Sequence, residues 1–338
     1  MRAQQYDPGT GRLWLNEIEM PKPNSSEILV KIIGASLCRS DRLLGPGFFL
    51  TRSLGHVITM GHEVTGTVAE LGNHVNGFEI GDAVGLVASS GCFECARRQT
   101  WPAHGCPHGL RAQGFTCDGH FQEYVTVDFR NAVRLPSSFD VAGSAPFCCA
   151  GVTAYNAIKQ CEPAAGRWIT VFGAGGVGSM GIQYAKAMGF NVIAVDIGEK
   201  QLNDAKKAGA DYAFNSTIFP DYAAAIVEKT KGGVDAAVNF TASSLVYGSM
   251  QTLVKWGGIL MTVGISDPFL VDPMDISFNR FVIKGACNGT AQDLKDCLQF
   301  SAQHNIVPFV EFISLEALPA MITSMETGML NKRVYVKF

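Results

Sequence analysis

The pattern of apolar and polar residues changes near residue 150 of the chain. Before that point, short apolar runs are separated by glycine, proline and asparagine, and the clearest of them predict strands over residues 28–33, 64–68 and 83–87. Short apolar runs between turn-forming residues are typical of β-structure. The first part of the chain, to about residue 145, is therefore predicted to be rich in β-strands.

From about residue 150 to residue 285, apolar runs alternate with stretches of helical character. Residues 177–188 are predicted to form a helix, and strands are predicted over residues 168–172, 191–196, 212–214, 234–239, 258–263 and 281–286. Strands that alternate with helices favour a doubly wound parallel sheet. The tail from residue 289 is too short for an independent domain, so we expect it to pack on the N-terminal part.

A glycine-rich turn follows the first of these strands, within the sequence WITVFGAGGVGSMGIQYAKAMGFNVIAVD of residues 168–196. Gly173 permits a tight turn, Gly175 permits the close approach of a pyrophosphate, and Gly178 permits close packing of helix and strand. Asp196 follows Gly178 by 18 residues, close to the spacing at which an acidic residue binds the ribose of a dinucleotide. The turn predicts dinucleotide binding, against the alternative of a purely conformational turn in another α/β protein.

Further residues around this turn are also predicted to bind the cofactor. They lie in the turn itself, shortly after Asp196 and after a later strand: Gly176, Val177, Lys200, Val263, Gly264 and Ile265. The charge of Asp196 would repel a 2′-phosphate, so the sequence favours NAD over NADP.

Composition restricts the kind of partner. The chain has 338 residues, 47% of them apolar, and a net charge of −3 without a prominent run of lysine or arginine. It therefore lacks the cluster of basic residues that binding to nucleic acid or an anionic membrane would require, and a small molecule is the expected partner. The N-terminal residues lack the apolar core of a secretory signal, and no apolar run approaches the roughly 18 residues of a membrane span. We expect a cytoplasmic location, with the ten cysteines as thiols and metal ligands rather than a disulfide framework.

Several short motifs occur in an order and at separations that are specific in combination. They are Cys-Arg-Ser-Asp at 38–41, Gly-His-Glu at 61–63, Gly-Asn-His-Val at 72–75, Gly-Asp-Ala-Val at 81–84, Cys-Ala-Gly-Val-Thr-Ala-Tyr at 149–155, and the glycine turn. Through them the chain resembles, over nearly its whole length, the zinc-containing alcohol dehydrogenases of the medium-chain dehydrogenase/reductase superfamily. The resemblance implies a GroES-like, β-rich catalytic domain over residues 1–148, a Rossmann NAD-binding domain over residues 149–288, and a return segment over residues 289–338 that packs on the catalytic domain.

The resemblance also implies a catalytic zinc ion, one per subunit, held by Cys38, His62 and Cys149. Two thiolates and one imidazole make a tetrahedral site with one open position for water or alcohol. Zinc lowers the pKa of the water or alcohol bound at that position. By the same resemblance, Glu63 lies close behind the metal as an alternate ligand, and Asp41 orients His62.

Neighbouring residues complete the implied site. Ser40 would hydrogen-bond the substrate oxygen and pass its proton onward. Arg39 would pair with the cofactor pyrophosphate, the alternative being a solvated surface arginine. The residue type alone does not decide whether Cys148 or Cys149 is the zinc ligand. The Ala-Gly-Val-Thr sequence that follows Cys149 favours Cys149.

A second, structural zinc is common in the family, bound by four cysteines spaced C-x2-C-x2-C-x7-C. Cys92, Cys95 and Cys106 occupy the first, second and fourth positions here, but the third is Arg98. An arginine stays protonated and only donates hydrogen bonds, so it cannot coordinate zinc. His104, His108 and Cys117 lie nearby without matching the spacing, and the sequence predicts that this second zinc is absent.

Two further departures concern the substrate. Leu43 stands where several relatives have a histidine that passes the proton to solvent. Val87 and Ala88 are smaller than the tryptophan that microbial relatives often have near this position, and Phe48 and Phe49 add apolar surface. We expect a roomy apolar pocket for bulky or secondary alcohols.

The expected activity is the reversible oxidation of an alcohol to an aldehyde or ketone, with hydride transfer to NAD. The resemblance to microbial members implies a homodimer or homotetramer. One alternative is a zinc-family reductase of an activated C=C or C=O bond that uses NADPH. A second is a non-catalytic binding protein on the same fold.

Overall fold

A computed structural model describes residues 1–44, 56–93, 95, 106–327, 329–330 and 333–338, with residues 43 and 44 described in their backbone only. The predictions that fall on Phe48, Phe49, Arg98, His104 and the Leu43 side chain lie outside the described residues. The chain divides into two compact units, one made of residues 1–152 and 288–338, the other of residues 153–287.

The strands, in chain order, are β1 (Arg2–Asp7), β2 (Arg12–Glu17), β3 (Glu27–Ser36), β4 (Ile58–Thr59), β5 (Glu63–Leu71), β6 (Ala83–Leu86), β7 (Ser89–Ser90), β8 (Arg111–Ala112), β9 (Tyr124–Asp128), β10 (Ala132–Arg134), β11 (Trp168–Phe172), β12 (Asn191–Asp196), β13 (Tyr212–Asn215), β14 (Val234–Asn239), β15 (Val254–Thr262), β16 (Phe281–Gly285), β17 (Val310–Ile313) and β18 (Arg333–Lys337).

The α-helices are α1 (Ala150–Lys159), α2 (Gly178–Ala187), α3 (Glu199–Lys207), α4 (Tyr222–Lys229), α5 (Leu245–Leu253), α6 (Pro273–Ser277), α7 (Ala291–His304) and α8 (Leu318–Glu326). Short 3-10 helices cover Arg39–Leu44, Phe129–Asn131, Ala142–Cys148 and Leu315–Ala317.

The first unit is built around a seven-stranded sheet. Its strands lie in the order β10-β6-β5-β3-β18-β17, and β9 also pairs with β3. The long strand β3 pairs with β5, β9 and β18, all antiparallel. Apolar side chains on one face of these strands form a buried core that includes Ile28, Val30, Ile32, Val64 and Val336. The sheet thus joins the start of the unit to the last strand of the chain.

The second unit contains a six-stranded parallel sheet in the order β13-β12-β11-β14-β15-β16. Each neighbouring pair is parallel. The strand order reverses between β11 and β14, and in such sheets ligands bind beyond the carboxyl ends of the strands at this reversal. The predicted α/β fold with a doubly wound, Rossmann-type parallel sheet is confirmed.

The strands differ from their predicted bounds mainly where pairing partners extend them. β3 runs to Ser36 because β5 and β18 supply partners as far as that residue. β15 begins at Val254, four residues before the predicted start, because Val254 pairs with Val234 ahead of a register irregularity. Gly257, at φ +75°, lies in this irregular stretch. None of the helices among the described residues is long and apolar enough to cross a membrane.

Candidate active site

Cys38 follows the end of β3 and is held by a tight local turn. The Asp41 backbone N–H donates to the Cys38 carbonyl at 3.1 Å, and the Cys38 N–H donates to Asp41 Oδ2 at 2.9 Å. Asp41 is fully buried, so its carboxylate is fixed at the start of the 3-10 helix. The Cys38 N–H thus contacts Asp41 Oδ2, and the second oxygen, Oδ1, lies 2.8 Å from His62 Nδ1.

His62 is placed by Gly61, which lies between β4 and β5. Gly61 has φ +96°, and a Cβ there would lie 2.7 Å from the Phe121 ring. The glycine therefore allows a turn that no other residue fits without strain. The His62 Nδ1 lies 2.8 Å from Asp41 Oδ1, an arrangement that leaves Nε2 available as a ligand. The Phe115 ring packs against the imidazole at a centroid distance of 5.0 Å.

Cys149 lies where the 3-10 helix Ala142–Cys148 gives way to α1. Its side chain joins those of Cys38, His62 and Glu63, and the ligand atoms of the four residues all lie within 4.8 Å of one another. The adjacent Cys148 Sγ donates instead to the Val64 carbonyl at 3.0 Å. The structure therefore brings Cys149, and not Cys148, to the other candidate ligands.

Glu63 is the most enclosed member of this group. Its carboxylate accepts hydrogen bonds from the Ser36 hydroxyl and from the Ala150 N–H at 3.3 Å, and it forms an ion pair with Arg333. Burial raises the pKa of Glu63 to about 7, while the Arg333 guanidinium acts in the opposite direction. Burial lowers the pKa of Arg333, but the charges of Glu63, Cys38 and Cys149 and the hydrogen bond to Glu63 together outweigh burial and raise this pKa.

The electrostatics of the group favour negative charge on one sulfur. A hydrogen bond from the Cys149 thiol lowers the pKa of Cys38 well below its usual value, against the effect of burial, and the same bond raises the pKa of Cys149. Burial lowers the pKa of His62, but Asp41 and Cys38 raise it to a net value above its usual range.

The donor set fits a zinc ion. Two sulfur atoms, one imidazole nitrogen and one carboxylate oxygen are buried together, and these are the ligand types that zinc prefers. Ser40 lies at the edge of the group, with its Oγ 3.1 Å from Cys38 Sγ and 3.2 Å from His62 Nε2. Its hydroxyl is half-buried beside the predicted ligands.

Ser36 and Arg333 belong to this site although no sequence motif marks them. Arg333 begins β18, which alternates between half-buried and buried positions, and an arginine at the start of such a strand usually indicates a solvated end. The pairing of Tyr335 in β18 with Ser36 in β3 brings the two strand ends together. Only this long-range pairing places the guanidinium against Glu63.

The second predicted group of cysteines also assembles. The sulfur atoms of Cys92, Cys95 and Cys106 lie within 4.8 Å of one another and are half-buried. His108 is exposed, and Cys117 Sγ donates to Gln113 Oε1 at 2.6 Å.

The glycine turn of the second unit has the predicted local geometry. Gly173, at φ +84°, follows β11, and its N–H donates to the Val195 carbonyl at 2.9 Å. A Cβ on Gly178 would lie 1.7 Å from the Gly173 carbonyl oxygen, whereas a Cβ on Gly175 would meet nothing within 4 Å. Gly178 is therefore required for packing, and Gly175 leaves open space above the turn. Gly176 and Val177 continue the turn into α2.

Asp196 ends β12 beside this turn. Its Oδ2 accepts the Ala174 N–H at 2.7 Å, and its Oδ1 accepts the N–H groups of Ile197 and Gly198 at 2.7 and 2.9 Å. Three backbone donors thus hold the carboxylate at the end of the strand. Lys200 has its Nζ 3.3 Å from Asp204 Oδ2, one helical turn further along α3.

The remaining predicted cofactor residues follow β15 or lie in the first unit. Val263 and Gly264 donate their N–H groups to the Asn239 carbonyl at 3.2 and 2.9 Å. A Cβ on Gly264 would lie 1.8 Å from the Thr241 carbonyl oxygen, so only glycine fits at this position. Ile265 and Arg39 are exposed.

The glycine turn allows a matched pair of substitutions. Gly178→Ala is expected to lower the free energy of unfolding of the cofactor-free protein by about 1–3 kcal/mol, because the new methyl group collides with backbone. Gly175→Ala is expected to leave this stability within about 0.5 kcal/mol and to weaken NAD binding, because its methyl group occupies the open space above the turn. Urea denaturation and NAD titration measure the two effects. A Gly175→Ala variant that is destabilised but binds NAD normally would contradict this interpretation.

Comparison with known proteins agrees with the fold. The model of the alcohol dehydrogenase GroES-like domain matches residues 24–137, and that of the zinc-binding dehydrogenase family matches residues 176–303. The chain is 35% identical to an alcohol dehydrogenase of Geobacillus stearothermophilus, over 100% of this chain and 99% of that protein. It is 32% identical to alcohol dehydrogenase 1 of Caenorhabditis elegans, over 100% of this chain and 97% of that protein.

The solved structures give the same result. The alcohol dehydrogenase of the archaeon Aeropyrum pernix superposes with a TM-score of 0.89 at 25% identity, with 100% of both chains covered. The fold and the relatives together define an oxidoreductase that acts on alcohols, with a small-molecule substrate. The chain belongs to the zinc-containing alcohol dehydrogenases of the medium-chain dehydrogenase/reductase superfamily. The prediction of zinc and NAD as cofactors is confirmed at the level of this family.

Proposed function

We propose that this protein catalyses the reversible oxidation of bulky or secondary alcohols with NAD, at a zinc ion held by Cys38, His62 and Cys149. The observation that carries the proposal is the burial of these three ligand atoms together with Glu63, all within 4.8 Å of one another. When bound, zinc polarises the alcohol or carbonyl oxygen and NAD accepts or supplies the hydride.

The side chains around these ligands have distinct roles in the proposal. Asp41 accepts the His62 Nδ1–H at 2.8 Å and fixes the imidazole, so that Nε2 would be free to bind zinc. Ser40 Oγ, 3.2 Å from Nε2, is placed to accept the proton of the substrate hydroxyl and to pass it onward. Glu63 is the alternate ligand, and Arg333 holds its carboxylate in place.

The preference for NAD rests on Asp196. Three backbone N–H groups fix its carboxylate at the end of β12, where it can accept hydrogen bonds from the ribose hydroxyls and repel a 2′-phosphate. Lys200 is a weaker candidate for a ribose contact, because its ammonium group already pairs with Asp204. Arg39, exposed after Cys38, is the candidate for the pyrophosphate.

Replacing Asp196 by glycine tests this preference. We expect kcat/KM with NAD to fall by about tenfold, because the lost hydrogen bonds are worth about 1.4 kcal/mol. We also expect the discrimination against NADP to weaken. Kinetics with both cofactors measure the ratio, and Asp221→Asn, a carboxylate without a side-chain cap hydrogen bond, is the control. An unchanged cofactor preference would show that Asp196 does not select NAD.

A panel of alcohols and carbonyl compounds, with zinc analysis, tests the function as a whole. We expect turnover with NAD(H), one zinc per chain, and the highest specificity constants for bulky or secondary alcohols, because Val87 and Ala88 are smaller than the tryptophan that microbial relatives often have near this position. A specificity constant highest for ethanol would contradict the substrate class. Reduction of an enal with NADPH as the main activity would replace the proposed function.

We also propose that the chain assembles as a homodimer or homotetramer. β16 is an edge strand of the six-stranded sheet, and its Val282 and Ile283 side chains are 45% and 38% exposed. An edge strand with exposed apolar side chains favours pairing with another strand. In a dimer with a twofold axis, β16 of one copy would lie against β16 of the other. Sedimentation of the intact protein, compared with Val282→Lys, tests this: a monomeric wild-type chain would refute it.

A further inference from the structure

The thiols of the chain differ sharply in their surroundings. Cys148 and Cys161 are fully buried, and burial raises the pKa of each to about 12. A deeply buried thiol is a poor nucleophile, because the thiolate is the reactive form. Cys92, Cys95 and Cys106 are instead half-buried, and their three sulfur atoms lie within 4.8 Å of one another. We call these three residues the thiol cluster.

The backbone holds the thiol cluster in place. β7 and β8 pair with each other, and Ser90 lies opposite Arg111. Cys92 follows β7 and Cys106 precedes β8, so the two cysteines lie on neighbouring segments. Phe93, at φ +58°, turns the chain between Cys92 and Cys95. The Arg130 guanidinium packs over the Phe93 ring at 4.2 Å, a cation–π contact that stabilises this uncommon conformation.

Cys92 is the central member of the thiol cluster. Its Sγ accepts the Cys95 N–H at 3.3 Å, and its own N–H donates to Cys106 Sγ at 3.4 Å. Both other cysteines are thus hydrogen-bonded to Cys92. A disulfide needs an S–S separation of about 2.05 Å, and the three sulfur atoms already lie within 4.8 Å of one another.

The sequence around the thiol cluster does not match a four-cysteine zinc site. Structural zinc sites take four protein ligands, and the residue at the third position of the family spacing is Arg98, which is positively charged. Three adjacent, half-buried thiols have a second common chemistry, because a sulfenic acid formed on one of them condenses with a neighbour to a disulfide.

We propose that the thiol cluster is a site of reversible oxidation, at which a hydroperoxide converts Cys92 and one of its two neighbours to a disulfide. The Cys92 thiolate attacks one peroxide oxygen and the O–O bond breaks, which gives a sulfenic acid and, after protonation, water. The second thiol then displaces the hydroxyl group as a second water. Two sulfur atoms lose two electrons in total, and one molecule of hydrogen peroxide is reduced to two molecules of water. The proposal does not depend on the proposed substrate or cofactor.

The test uses the intact, zinc-loaded protein and one equivalent of hydrogen peroxide per chain. Remaining thiols are alkylated, and peptide mass spectrometry identifies disulfide-linked pairs before and after treatment with dithiothreitol. We expect a disulfide that joins Cys92 to Cys95 or Cys106 and that dithiothreitol reverses. Cys161→Ser, which removes a buried thiol, is the matched control and should give the same pair.

Two variants locate the reaction within the thiol cluster. Cys95→Ser should still form a Cys92–Cys106 disulfide. In Cys92→Ser, the yield of disulfide within the thiol cluster should fall at least tenfold. Equal yield in Cys92→Ser would overturn the assignment of Cys92. A thiol cluster that stays reduced in the wild-type protein, or that holds a second zinc ion and resists peroxide, would overturn the proposal as a whole, and neither result depends on whether Cys92→Ser folds.

Discussion

Cys149→Ala is expected to lose the catalytic zinc and to reduce kcat/KM by about 10³-fold or more. The substitution removes one of two sulfur ligands from a buried group of four potential ligands, and three protein ligands are the usual minimum for a catalytic zinc site. Lewis-acid stabilisation of the transition state by the metal is worth several kcal/mol, and about 4 kcal/mol corresponds to the expected factor. Steady-state kinetics and metal analysis on the same preparation measure both quantities.

The neighbouring cysteine provides the control for this experiment. Cys148→Ala removes a thiol that donates to the Val64 carbonyl at 3.0 Å and is predicted to take no part in metal binding. We expect this variant to keep its zinc and most of its turnover, with a loss of stability of about 0.5–3 kcal/mol from the altered core. Zinc loss in Cys148→Ala with full zinc in Cys149→Ala would refute the assignment of the ligand.

Arg333→Met is expected to lower the free energy of unfolding by about 3–5 kcal/mol. Glu63 and Arg333 form an ion pair in which the carboxylate is fully buried and the guanidinium is 6% exposed. Removal of one partner leaves the other without its counter-charge in a medium that solvates charge poorly, which is the costly way to break a buried pair. Urea denaturation at fixed protein and zinc concentrations measures the change.

A double-mutant cycle separates this pair from general damage to the core. Replacing both partners, in Glu63→Gln with Arg333→Met, removes both charges at nearly the original volume and should recover a large part of the stability lost by Arg333→Met alone. Losses that simply add would show that the two side chains do not interact. Arg134→Met removes an exposed arginine that pairs with Asp82, and because exposed ion pairs contribute little, it should leave the stability nearly unchanged.

The local motifs of the chain were accessible from the sequence because each is formed by consecutive residues. The turn from Gly173 to Gly178 requires glycine for reasons that lie within a few residues, and the structure shows the collision that a Cβ on Gly178 would cause. The Cys38–Asp41 turn is equally local, with both of its hydrogen bonds between residues three apart. The bounds of β3 and β15 were less accessible, because strand length depends on the partner strands.

Some side-chain partners were not predictable from spacing. The ammonium group of Lys200, which is predicted to contact the ribose, also lies 3.3 Å from Asp204, a pair that any helix can form between residues four apart. Ser36 and Arg333 carry no motif, and they reach Glu63 only through the pairing of β18 with β3. Sequence patterns record what one segment does, and they do not record which distant segment lies beside it.

The sequence by itself determined the parallel α/β sheet, the glycine turn and the residues from which the metal site is drawn, because strand periodicity and short motifs act over a few residues. The tertiary structure decided what surrounds the two adjacent cysteines: Cys149, which its sequence context indicates, joins the other ligands, and Cys148 donates to the Val64 carbonyl. It also decided that a buried guanidinium, 270 positions away along the chain, neutralises Glu63. Both outcomes depend on long-range packing, in which burial sets the cost of every unpaired charge.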